Sequence, residues 1–143
     1  MERLRGKKEK EVRKALEEYG ISIKNLLLYS RDNSIYVLTP EAAELLKQVQ
    51  VKCLAGFYLA KAEKAGLRLS FDACQLFAKQ IKKYIELDEK QLGAWFKGEE
   101  ISDEKARGLF GFFVLKHNED FVGCGLVKDG KIKNYVPKDR RIK

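Results

Sequence analysis

Apolar positions along this chain recur first at helical and then at strand spacing, and the changes of period mark its elements. Val12, Ala15, Leu16 and Tyr19 stand at i, i+3, i+4 and i+7, which predicts an amphipathic helix over 7–19. Glu9 and Arg13 add a favourable i,i+4 pair, and Gly20 supplies the stop. Strands are predicted over 23–29 and 35–38, around the turn Arg31-Asp32-Asn33-Ser34. Thr39-Pro40-Glu41 then reads as N-cap, proline at N1 and first-turn acid of a helix running to about Lys47. From Val51 to Leu69 the pattern is strand-like, with Gly56 and Gly66 as turns. Ser70 can cap a helix that turns Phe71, Cys74, Phe77, Ala78 and Ile81 inward, leaving Lys79, Lys82 and Lys83 on a solvated face.

Past residue 80 the pattern shortens. Residues 84–87 read as a short strand, and Asp88-Glu89-Lys90-Gln91 has capping-box spacing ahead of Leu92, Trp95 and Phe96, with Gly98 ending that helix. Strands are predicted over 110–116, 121–127 and 131–136, separated by the turn His117-Asn118-Glu119-Asp120 and the tight turn at Asp129-Gly130. Short strands, tight turns and one helix suggest a small β-barrel. The fold expected is α+β: a mixed α/β lobe over 1–80, then a barrel over 81–143.

Composition changes this picture in one respect. At 143 residues and 45% apolar content the chain can bury a core, and its 29 basic against 21 acidic residues give a net charge of +8. That balance favours phosphate-bearing partners. Without an apolar run of about 20 residues, or an apolar stretch after the charged N-terminus, the chain is expected to be cytoplasmic and free of membrane contact.

Candidate catalytic chemistry is thin. His117 is the one histidine and sits at a predicted hairpin tip, where a general base would be poorly held. Cys53, Cys74 and Cys124 form no CxxC pair, so they read as buried free thiols, with no metal and no cofactor expected. Gly123-Cys124-Gly125 lies inside a predicted strand, the wrong context for a phosphate-cradling loop, and reads as small residues at a tight packing position. Glu99-Glu100 and Asp103-Glu104 read as solvated surface. No catalytic residues are assigned.

The closing stretch "KDGKIKNYVPKDRRIK" carries a different chemistry. On a strand, Lys131, Lys133 and Tyr135 share one face by period two. Ammonium groups can meet RNA phosphates while a ring stacks on an unpaired base. Asn134 could read a base edge or bond backbone. Pro137 stops the ladder, and Lys138, Arg140 and Arg141 follow, with guanidinium forks suited to phosphate. The competing reading is a frayed basic terminus, which would need neither Tyr135 nor Pro137.

"LGAWFKGEEI" (92–101), "GFFVLKHNEDFVGCGLV" (111–127) and "GKIKNYVPKDRRI" (130–142) resemble a PUA domain, the RNA-binding module named for pseudouridine synthases and archaeosine transglycosylases. The third stretch is similar to the ending of the PUA-like domain in Sun-type RNA cytosine-5 methyltransferases. The whole layout looks like the Nip-seven family of ribosome-assembly proteins, in which an α/β domain precedes a PUA domain. The cysteines here follow Lys52, Ala73 and Gly123, unlike the Pro-Cys and Thr-Cys contexts of a Sun-type active site. The resemblance therefore implies the RNA-holding part without the catalytic part, and adds Lys97 and Gly98 to the RNA-binding residues. The expected function is non-catalytic binding of rRNA or tRNA during processing, modification or ribosome assembly. A recognition subunit acting in trans with an RNA methyltransferase, or a module docking on an assembly factor, are the alternatives.

Overall fold

A computed structural model describes residues 2–49 and 56–141. Among the described residues, two five-stranded sheets and four α-helices make a mixed α/β architecture. The first sheet is an antiparallel meander of β1 (Glu2–Arg3), β2 (Leu27–Arg31), β3 (Ser34–Leu38), β4 (Phe57–Glu63) and β5 (Gly66–Leu69), in that order. Helix α1 (Gly6–Tyr19) precedes β2, α2 (Pro40–Val49) follows β3, and α3 (Phe71–Leu76) follows β5.

Local chemistry explains most of these boundaries. Gly20 closes α1 at φ +100°, and a Cβ there would stand 2.3 Å from the Gln80 carbonyl oxygen. The strand expected over 23–29 is displaced to Leu27–Arg31, because Arg13 draws the Ile23 and Leu26 carbonyls onto its guanidinium at 2.9 Å each. Thr39 caps α2 by accepting the Ala42 N–H at 3.1 Å. Ser70 caps α3 by accepting the Ala73 N–H at 3.0 Å, but this helix stops at Leu76 rather than reaching Ile81. The Lys82 N–H donates to the Tyr19 carbonyl at 2.7 Å, drawing the chain out towards the end of α1 while Phe77 and Ile81 stay buried. Cys53 lies outside the described residues.

The second sheet comprises β6 (Tyr84–Glu86), β7 (Ile101–Ser102), β8 (Gly111–His117), β9 (Asp120–Lys128) and β10 (Lys131–Lys133), ordered β6-β8-β9-β10-β7. Its β6–β8 pair is parallel and the rest are antiparallel. The barrel expected from the strand spacing is thus an open sheet: among the described residues no ladder joins β6 to β7. Helix α4 (Glu89–Phe96) occupies the crossover between those edges and drives the fully buried Trp95 into the core, so side-chain packing stands where a closing ladder would.

Three turns match the sequence reading: Asp32-Asn33 joins β2 to β3 where the turn over 31–34 is predicted. Asp129-Gly130 joins β9 to β10 with both φ values positive, and Asn118-Glu119 joins β8 to β9. One apolar cluster crosses both halves: Leu16, Tyr19, Leu59 and Leu69 pack in the same core as Phe112, Val114, Phe121 and Cys124. A smaller cluster surrounds Trp95. No described helix is long and apolar enough to cross a membrane.

Candidate nucleic-acid interface

Strand β10 buries Ile132 and turns Lys131 and Lys133 outward, as period two requires. Lys128, Lys131 and Lys133 line a shallow hollow of about 330 Å³ with Leu126, Asp129 and Glu100. The strand predicted over 131–136 ends at Lys133. Asn134 is the reason. Its amide nitrogen donates to the Trp95 and Glu99 carbonyls at 2.8 and 3.0 Å, and its oxygen accepts the Val136 N–H at 2.8 Å. Both donors are used within the protein, so Asn134 bonds backbone and fastens the closing segment to the end of α4.

That fastening brings the glycine turn and the basic end together. Lys97 is exposed at the C-cap of α4, and Gly98 follows at φ +87°. A Cβ on Gly98 would lie 2.6 Å from Arg141 Nε, so only glycine lets the guanidinium lie across the turn. Arg141 Nε is held by the Val136 carbonyl at 3.0 Å. Lys138 is exposed on a 3₁₀ turn spanning Lys138–Arg140.

Tyr135 leaves the lysine face and packs towards the first half. Its half-buried ring meets Phe112 edge to face at 5.6 Å, with Arg68 4.4 Å and Lys133 5.5 Å from its centroid. Arg68 also pairs with Glu63 at 3.3 Å. Arg140 lies 4.8 Å over the Phe71 ring and 3.4 Å from Asp72. Arg68, Phe71, Asp72, Tyr135 and Arg140 wall a cleft of about 280 Å³ whose lining includes Tyr58, Trp95, Cys124 and Asp139.

Behind the cleft, Cys124 joins a dry interior with Tyr19 and Cys74. Tyr19 donates its hydroxyl proton to the Leu67 carbonyl, so at the 3.6 Å contact with Cys124 the thiol is the donor. Burial pushes the Cys124 thiol up to about 11 and raises Cys74 and Tyr19 as well. Burial likewise raises Tyr58, against the lowering effect of Arg68. The His117 ring Nδ1 lies 2.9 Å from the Leu87 carbonyl, which fixes the proton on that nitrogen.

The structure therefore sorts the residues singled out in the sequence. Lys131 and Lys133 form one exposed strip with Lys128. Lys97, Gly98, Asn134 and Arg141 converge at the end of α4. Tyr135 and Arg140 belong to the cleft, and Lys138 stands on the turn beside it. Tyr58, Arg68, Phe71 and Asp72 were missed as site residues. Their one signal was period two, which sets Arg68 opposite the buried Leu67 and Leu69 without saying what it meets.

Residues 82–142 match the family described as the methyltransferase RsmF PUA domain. Over these residues the chain has a PUA-like domain related to that of Sun-type ribosomal RNA methyltransferases. A ribosomal RNA small subunit methyltransferase F from Psychromonas ingrahamii is 27% identical over 135 residues, covering 87% of this chain and 28% of the relative. The protein of the same name from Vibrio cholerae strain M66-2 is 29% identical over 114 residues, covering 78% of this chain and 24% of the relative. The chain thus spans about a quarter of the length of the curated relatives it matches. At 87% coverage the first likeness extends well before residue 82, into the first sheet.

Proposed function

We propose that this chain is a non-catalytic, cytoplasmic RNA-binding protein that acts in ribosomal RNA modification or ribosome assembly, with residues 1–80 as a pre-PUA domain supporting an RNA-binding domain over 81–143. The observation that carries this reading is the exposed lysine strip of β10, continued in sequence by a basic segment that Asn134 and Arg141 fasten to the glycine turn of α4. Lys128, Lys131, Lys133, Lys97 and Lys138 meet backbone phosphates. Arg141 and Asn134 hold the segment in place, and Tyr135 and Arg140 extend the surface into the cleft. Buried, protonated Cys74 and Cys124 are the opposite of nucleophilic thiols, which supports the absence of chemistry in these residues.

The test is a titration of structured ribosomal RNA fragments, transfer RNA and duplex DNA at two salt concentrations, with wild type and Lys131→Glu/Lys133→Glu/Lys138→Glu. All three side chains are exposed, so the variant should fold. Wild type should select RNA, and the variant should lose affinity with a salt slope shallower by about two to three, at roughly 0.7–0.9 per phosphate contact. Equal slopes for both proteins would sink the proposal.

A second reading is favoured by the chain's coverage of only a quarter of its methyltransferase relatives. In it, this protein supplies RNA recognition in trans to a methyltransferase catalytic chain. A separate catalytic chain retained on the purified protein would support it; purification without one, together with full RNA binding, would favour the first.

A further inference from the structure

The cleft between the two halves has a composition that phosphate binding does not explain. Arg68 lies on the Tyr135 ring and Arg140 on the Phe71 ring, giving two guanidinium planes each backed by an aromatic. Unpaired bases stack on such planes and on such rings. Glu63 holds Arg68 in place, with its Oε2 3.3 Å from the buried Nε and its Oε1 3.5 Å from a terminal guanidinium nitrogen. Asp72 and Asp139 stand in the wall and can only accept hydrogen bonds. Lys133 belongs to the lysine hollow and stands 5.5 Å from the centroid of the Tyr135 ring, which lines the cleft.

We infer that this cleft receives one unpaired nucleotide of the bound RNA, its base stacked against the Arg68–Tyr135 and Arg140–Phe71 pairs. The inference rests on the RNA-binding reading above and adds to it a place for a single base. A cleft of about 280 Å³ accommodates one base, not a duplex. Carboxylate acceptors in the wall favour bases with an exocyclic amino group, cytosine, adenine or guanine, over uracil, which has none. The phosphate on the 3′ or 5′ side then lies beside Lys133 and the lysine strip.

The experiment compares a fully paired RNA hairpin with the same hairpin carrying one bulged nucleotide, with 2-aminopurine at the bulge as a stacking reporter. Wild type should bind the bulged RNA about tenfold more tightly, quench the reporter, and prefer a bulged cytosine to a bulged uracil. Phe71→Leu and Arg68→Gln should each abolish that preference and leave binding to the paired hairpin in place, with emission from the buried Trp95 reporting an intact fold. Equal affinity for the two hairpins without quenching overturns the base site and leaves RNA binding standing. Failure to bind either hairpin overturns both. Equal quenching of free 2-aminopurine ribonucleotide would make the cleft a small-molecule site and overturn its assignment to RNA.

Discussion

At Gly125 a hydrogen stands where any other residue would place a carbon 2.6 Å from Ile132 Cγ2 and 3.1 Å from both the Lys133 oxygen and Trp95 Cη2. Gly123 likewise leaves room for the indole, with Trp95 Cζ2 3.4 Å from the site of its missing Cβ. The Gly-Cys-Gly run is therefore a seat for Trp95, whose Nε1 donates to the Val122 carbonyl at 2.7 Å. Reading it in sequence as a packing device was sound, although nothing there named Trp95 as the occupant. Gly125→Ala should lower stability by about 1–3 kcal/mol through overpacking, read as a fall in Tm. Gly93→Ala in α4 is the control. A Cβ there meets nothing within 4 Å, so Tm should hold or rise. Asn134 shows the limit at this scale: a base reader and a backbone fastener look the same until the Trp95 and Glu99 carbonyls are placed.

Elements whose ends are set by their own residues were legible. The capping box at α4 forms as its spacing predicts: Gln91 N–H donates to Asp88 Oδ1 at 2.8 Å and Asp88 N–H to Gln91 Oε1 at 3.0 Å. Asp88→Ala should cost about 1 kcal/mol, visible as a lower urea midpoint at unchanged slope. Because α4 carries Trp95, Lys97 and the Gly98 turn, its loss of order would also weaken RNA binding. Elements whose ends depend on distant partners were misjudged. Strand β2 starts late because Arg13 claims two carbonyls, α3 stops early because Tyr19 claims Lys82, and β10 ends early because α4 claims Asn134.

For the whole molecule, the shared core is the consequential fact. Phe112, Val114, Phe121 and Cys124 of the second half pack in one cluster with Leu16, Tyr19, Leu59 and Leu69 of the first, and Tyr19 touches Cys124 directly. A fragment containing only 82–143 would expose those side chains, each worth roughly 1.5–3 kcal/mol of burial for the larger ones. It should be markedly less stable than the full chain, or aggregate, and calorimetry of the full chain should give one transition rather than two. An 82–143 fragment as stable as the intact protein would show the halves to be energetically separate.

By itself the sequence determined what local chemistry determines: helix caps, three hairpin turns, the alternation that exposes Lys131 and Lys133, and a PUA-like ending. Each rests on residues within a few positions of one another. Tertiary structure alone decided that the second sheet stays open, that Asn134 turns inward, and that Arg68 and Phe71 from the first half meet Tyr135 and Arg140 from the end. The placement of Asn134, Tyr135 and Arg140 depends on contacts between residues 35 to 69 positions apart, and the positions of such partners are fixed only when the shared core excludes water and locks the halves in register.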